Sequence, residues 1–282
     1  MDAQNSSAIS PYQLQQLKVI LLSILLTGGI LTSFTLFNRH LRQIKTARDI
    51  PSHVFRKSHL FGKVTFVGDG DNFLFFHMPG GILGGWHWLR DVPSLSKISL
   101  EESTIRAKSK RSNKGRRGFL GAVGEFFGVL PKKYKFRDLQ VAYKSRRNLP
   151  TIAVRLCGVD APEAGHFGKT AQPFSEEAIM WLRHTLLGRY VWIKPLALDQ
   201  YGRCIATVQY WSWFRWKNVS LEMIKEGLGV VYEGKIGAEF DGEEKLYRYH
   251  EMVAKKAKRG VWSLRNFETP GEYKKRLKIN DN

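Results

Sequence analysis

Ten residues, Val154 to Glu163 (V-R-L-C-G-V-D-A-P-E), set Arg155 in an apolar, strand-like run from Thr151 to Val159 and close on Asp160-Ala161-Pro162-Glu163. A guanidinium on one face of a strand and two carboxylates at its end need partners, because a charge withdrawn from water is costly unless paired. The partners could be one another, a metal ion or a phosphate, and a plain salt bridge at a strand end would satisfy the same residues. Two other stretches add to the set. Gly68-Asp69-Gly70-Asp71-Asn72 separates two apolar runs, and Asp199-Gln200-Tyr201-Gly202 is a turn that puts Arg203 at the start of a strand. Asp and Gly are ordinary hairpin-turn residues, so the first stretch also reads as turn chemistry alone.

Hydrolysis of a phosphodiester would use every member of this set. The attacked phosphorus carries anionic oxygens that repel an incoming hydroxide, so charge must be cancelled and a water oriented. Calcium takes oxygen ligands and keeps positions open for water; Asp71 and Asp160 would supply carboxylates. Guanidinium groups stay charged and grip phosphate oxygens in pairs, the role open to Arg155 and Arg203. Glu163 would then orient or deprotonate the water.

Composition points to the same kind of partner. The 282 residues carry 45 Lys+Arg against 25 Asp+Glu, a formal charge of +20, which favours nucleic acid or an anionic membrane surface. The two cysteines, Cys157 and Cys204, lie far apart in predicted strands and read as buried free thiols rather than metal ligands or a disulfide framework.

The elements that must position these residues follow an apolar leader. Residues 1–18 form a polar tail, and 19–37 run without a charge for about the length of a hydrocarbon core, which predicts one transmembrane helix. Arg39, Arg42, Lys45 and Arg48 follow it, so positive-inside logic puts the C-terminal bulk on the cytoplasm-like side. Residues 38–59 read as a basic juxtamembrane linker, 60–265 as the folded domain, about 99–149 as a basic insertion, and 266–282 as a polar, frayed tail. Strands are predicted at 61–67, 73–78, 190–198 and 203–210, with 230–232 extended. A helix beginning near 170–173 presents Phe174, Ala178, Trp181, Leu182 and Leu186, and a short helix is capped by Asn218 or Ser220. A last helix opens with Asp241-Gly242-Glu243-Glu244 as a capping box and buries Leu246, Val253 and Ala257. Short strands with glycine turns and late helices predict an α+β chain built on a small closed OB-type barrel.

The ordered set D-G-D at Asp69 to Asp71, R-L-C-G-V-D-A-P-E at Arg155 to Glu163 and D-Q-Y-G-R at Asp199 to Arg203, with G-V-W at Gly260 to Trp262, resembles the staphylococcal nuclease family of thermonuclease-like domains. The apolar span ahead of V-G-D-G-D-N-F is similar to the fungal, membrane-anchored mitochondrial members. The resemblance covers roughly Leu60 to Leu264. It implies a five-stranded OB-type barrel with three helices and an endonuclease, a phosphodiesterase leaving 3′-phosphate ends on DNA or RNA, with single strands favoured. It implies calcium held by Asp71 and Asp160 with the Ala161 carbonyl, and Asp69 nearby. Arg155 and Arg203 would contact phosphate, Glu163 would be the general base, and Tyr201 and Tyr232 would lie near the nucleotide. Asn72 and Ala161 stand where threonines are common, which would remove a hydroxyl near the site. Two alternatives stay open: a nucleic-acid-binding module of this fold without catalysis, and a membrane tether.

Overall fold

The structure is a computed structural model describing residues 11–93, 149–165, 170–234 and 238–280, so the expected basic insertion falls outside the described residues apart from Leu149. The chain divides into two compact units, Met1–Arg42 and Gln43–Asn282. In the first, helix α1 (Pro11–Leu36) continues through a π-helical turn, Phe37–Leu41. None of its residues is buried, and from Val19 onward it carries no charged residue on any face. The hydroxyls of Ser23 and Thr32 donate back to the carbonyls of Val19 and Gly28 at 2.6 and 2.8 Å, so they need no partner outside the helix. At 31 residues to Leu41 it is long enough to cross a bilayer.

The second unit is built on a barrel. Its strands are β1 (Leu60–Val67), β2 (Asn72–His77), β3 (Ile152–Leu156), β5 (Tyr190–Leu198) and β6 (Cys204–Ser212), and β7 (Arg215–Asn218) extends the sheet beyond β6. The order is β3-β2-β1-β5-β6-β7, and a parallel β3–β6 pairing closes the first five strands on themselves. Register shifts between Val64 and Phe66 and between Pro195 and Ala197 supply the bends that closure needs. Alternation then fills the interior with Val64, Phe75, Ile152, Val154, Ile193 and Val208, all essentially inaccessible. A short pair, β4 (Val159–Asp160) with β8 (Val230–Val231), lies beside the barrel. Strand β1 is buried on both faces because a second cluster of Phe61, Phe76, Met78 and Trp86 covers its outside.

Among the described residues, four helices complete the unit: α2 (Ser175–Leu186), α3 (Val219–Lys225), α4 (Glu244–Lys256) and α5 (Pro270–Asn280). Helix α2 buries Ala178, Leu182 and Leu186, and the Asn218 side chain caps α3 by accepting from the Leu221 N–H. Helix α4 departs from expectation in two ways. No side chain caps it, because Asp241 instead accepts from Lys194 Nζ and Thr207 Oγ1. Its buried face is Tyr247, Glu251 and Ala254, while Leu246 is exposed. Counting apolar residues misses this stripe because two of its members are polar and satisfied. The Tyr247 hydroxyl accepts from Asn218 Nδ2 at 3.0 Å, and Glu251 accepts from the Val231 N–H at 2.8 Å. Residues 266–282, expected as a frayed tail, contain helix α5.

The segment expected as a linker, 38–59, lends Ala47, Ile50 and Val54 to the main core. It is also pinned at its start. The Ile44 N–H donates to His77 Nδ1 at 3.0 Å, and Gln43 Nε2 donates to the His77 carbonyl at 3.0 Å. Burial, reinforced by Arg90, lowers the His77 pKa from 6.5 to about 4. The folded state therefore resists a proton that the unfolded chain accepts. Stability is full above the unfolded value and falls as pH drops from about 6.5 to 4, by up to about 3 kcal/mol. Thermal unfolding of the chain in detergent across this window should show the slope, and His77→Asn should flatten it.

Candidate active site

The site gathers where the β1–β2 turn meets the end of β3. The burial pattern of β3 sends Ile152, Val154 and Leu156 inward and leaves Arg155 on the partly open face. Arg155 pairs in register with Asn72, and the Leu156 N–H donates to the Asp71 carbonyl at 3.0 Å, which locks the turn against β3. Gly70 makes this approach possible, because a Cβ there would lie 2.5 Å from the Ala161 Cβ. Gly158, at φ 67°, turns the chain from β3 into β4 and so brings Asp160 back to the same place.

Arg155 bridges the two aspartates. Its Nε donates to Asp71 Oδ2 and its Nη2 to Asp160 Oδ1, each at 3.2 Å. Burial alone would lower the pKa of this guanidinium, but Asp71 and Asp160 outweigh it and raise it. The Tyr232 ring lies 5.0 Å from the guanidinium carbon. Arg203 is held from the other side. Its Nε donates to Asp199 Oδ2 at 2.6 Å and its Nη1 to Asn72 Oδ1 at 3.0 Å. Asn72 thus links the second arginine to the turn that carries Asp71. Tyr201 stacks its ring 5.3 Å from the Arg203 guanidinium carbon and is otherwise largely exposed.

Glu163 joins the group through a residue that the sequence reading did not single out. Lys274 Nζ, from α5, lies 3.1 Å from Asp160 Oδ1 and 2.7 Å from Glu163 Oε1. Burial alone would lower this ammonium's pKa; the two carboxylates outweigh burial and raise it. A sequence signal for α5 exists in Thr269-Pro270-Gly271-Glu272. Glu272 Oε2 accepts from the Thr269 N–H, and Thr269 Oγ1 accepts from the Glu272 N–H, with proline at the first helical position. Gln172 was also missed. Its Oε1 accepts from the Glu163 N–H, its N–H donates to the Glu163 carbonyl, and its Nε2 donates to the Glu268 carbonyl just before α5. Buried Gln172 therefore fixes the Glu163 backbone and ties it to the segment that delivers Lys274.

The aspartates fit a hard cation. Asp71 is pushed up to about 6 by burial, even with Arg155 in contact, so it lacks positive charge. Asp160 is equally buried, and both offer only oxygen. Among the described residues no group of three or more His, Cys, Asp or Glu side chains could hold a metal ion. A cation here would therefore rest on two carboxylates, with backbone oxygen and water completing its shell.

Residues 153–264 match the family described as Staphylococcal nuclease homologue. A protein of Eremothecium gossypii named Probable endonuclease LCL3 is 59% identical over 279 residues, covering 97% of this chain and 98% of its own length. Proteins of the same name from Kluyveromyces lactis and Saccharomyces cerevisiae are 60% and 52% identical, each over 261 residues and 92% of this chain, and 93% and 95% of their own lengths. The chain belongs to the staphylococcal nuclease family. The family match begins inside β3, so the strands β1 and β2, which present Asp71 and Asn72, lie outside the matched residues and join the site only through the fold.

Proposed function

We propose that the chain is a calcium-dependent endonuclease, anchored in a membrane by α1, that hydrolyses phosphodiester bonds of DNA or RNA and leaves 3′-phosphate ends. The observation that carries this reading is the pair of guanidinium groups converging beside buried carboxylates: Arg155 on Asp71 and Asp160, and Arg203 on Asn72 and Asp199. Such paired forks suit the equatorial oxygens of a phosphate under attack. Asp71 and Asp160 would hold the cation, which would offset phosphate charge when bound. Glu163 orients the attacking water and takes its proton as the new P–O bond forms. The P–O5′ bond breaks, and the 5′ oxygen takes a proton from solvent. Tyr201 and Tyr232, each against one arginine, border the position of the nucleotide. For location, the exposed apolar helix followed by Arg39, Arg42 and Lys45 supports a single span, and the resemblance to fungal anchored proteins favours a mitochondrial membrane.

The full chain, reconstituted in vesicles, should cut single-stranded DNA in calcium and stop in chelator. The product ends should resist polymerase extension until a 3′-phosphatase is added. Absence of cleavage with any divalent cation would leave a binding module instead.

Lys274 makes a separate prediction. Its ammonium rests on Asp160, one of the proposed cation ligands, so an ion must share or displace it. Lys274→Ala should lower the calcium concentration for half-maximal activity by about three- to tenfold, the scale of a half-exposed ion pair. Lys274→Arg should not. A calcium titration of cleavage rate reads both.

A further inference from the structure

Arg155 lies within β3, and Arg203 is bonded across its own turn, the Asp199 N–H donating to the Arg203 carbonyl at 2.9 Å. Glu163 has no such frame. It stands between β4 and α2 in chain that belongs to neither strand nor helix. A group that must meet a reacting water to within about 0.5 Å needs its position fixed by other residues. The C-terminal segment supplies that support. Gln172 bonds the N–H and the carbonyl of Glu163, and its Nε2 donates to the Glu268 carbonyl at 3.0 Å. Close by in the chain, the Thr170 carbonyl accepts from the Tyr273 hydroxyl. Lys274, next on α5, reaches Glu163 Oε1 itself at 2.7 Å. The backbone of Glu163, the chain leading to α2 and the Glu163 side chain are thus all tied to the stretch from Glu268 to Lys274.

That stretch is itself stiffened. Arg276 donates from Nε and Nη2 to the two carboxylate oxygens of Glu268, both at 2.8 Å, and its guanidinium carbon lies 5.1 Å from the centre of the Tyr273 ring. The Thr269–Glu272 box starts the helix at the same point. Ahead of it, Phe267 meets Trp262 edge to face at 5.2 Å. Pro270 and Tyr273 are buried. Burying one proline and one tyrosine would dock a short helix by packing alone. Packing does not require that its polar groups fall on Thr170, Gln172 and Glu163. The residues that match the family end at Leu264, so α5 lies beyond them, as β1 and β2 do at the other end.

We infer that α5 is a brace for the carboxylate of Glu163 and that Tyr273 is a positioning residue, acting on the reaction through Thr170, Gln172 and Glu163 without touching substrate. This rests on the reading of Glu163 as the group that handles the attacking water. Because the grip on phosphate is assigned to Arg155 and Arg203, loosening the brace should slow the chemical step and spare the affinity for DNA.

The test is Tyr273→Phe in the full chain in vesicles, a change that removes one hydroxyl and keeps the buried ring. At saturating calcium, single-turnover cleavage of single-stranded DNA should slow about tenfold, inside the roughly 10²-fold that a misplacement of about 1 Å can cost, with the half-saturating DNA concentration unchanged. In a Glu163→Ala background the same change should cost less than about twofold, since no carboxylate is left to place. Amide hydrogen exchange reads the brace without cleavage. The Glu163 and Gln172 N–H groups, each bonded to the other residue, should exchange about tenfold faster in Tyr273→Phe, while the Leu156 N–H, bonded to the Asp71 carbonyl, keeps its rate. Slowing of equal size in the Glu163→Ala background overturns the inference, because Tyr273 would then act elsewhere. Faster exchange at Leu156 as well overturns it by making α5 a general packing element. A parent chain that cuts no DNA with any divalent cation fails the nuclease reading and the inference with it. Cleavage by the parent with unchanged exchange at Glu163 in the variant fails the inference alone.

Discussion

Arg155→Lys should fold and bind single-stranded DNA, yet cut it about 10²–10³ times more slowly. The arginine bonds Asp71 with Nε and Asp160 with Nη2, a fork that a lysine cannot reproduce with one nitrogen. Charge would be kept, so the buried aspartates would not be stranded. The two-point grip on a phosphate oxygen pair would be lost. Arg155→Ala is the harsher and less informative change. Removing one partner of a buried charge pair costs about 3–5 kcal/mol, and the loss of activity would mix with loss of fold. Arg203→Lys makes an independent case, because Arg203 is held by Asp199 and Asn72 rather than by the proposed cation ligands. Single-turnover cleavage rates, with binding measured separately in chelator, separate chemistry from affinity. A rate within threefold of the parent for both lysine variants would remove the arginines from the reaction.

The sequence carried the barrel well and its surroundings poorly, for identifiable reasons. Alternation along β3 and most of β5 is strong because one face of each strand fills the interior, so period and burial agree, whereas β1 and most of β6 are buried on both faces and are marked by apolar content instead. The three acidic and basic motifs announce themselves by charge in apolar company. Lys274 does not, since a lysine in a polar C-terminal stretch has the statistics of a solvated tail. Only the Thr269–Glu272 box hinted at the helix that delivers it. Gln172 is similarly silent, because its role lies in three backbone bonds that no spacing rule encodes. The α4 face was misread because Tyr247 and Glu251 are buried through their polar atoms. Residues 38–59 looked like a linker because Ala47, Ile50 and Val54 are sparse. What places them is the bond between Ile44 and His77, distant in sequence.

Glu163→Gln should lower the cleavage rate by about 10²–10⁴ if the carboxylate takes the proton of the attacking water, the range for a positioned general base. The structure makes glutamine a clean probe. The backbone of Glu163 is fixed on both sides by Gln172, so the side chain should start from the same place. The amide oxygen can still accept from Lys274 Nζ, which lies 2.7 Å from Oε1 in the native chain. Shape and the lysine contact are therefore retained, and proton uptake alone is lost. A water merely oriented by Glu163 would still find an acceptor in the amide, and the rate would fall about tenfold or less. The half-saturating DNA concentration should not move in either case, because in the proposed site the arginines rather than Glu163 would hold the phosphate. Combining Glu163→Gln with Lys274→Ala sharpens the reading. If Lys274 serves only to hold Glu163, the double variant should be no slower than Glu163→Gln alone. If Lys274 acts through Asp160 and the cation, its effect on calcium dependence should persist undiminished in the Gln background.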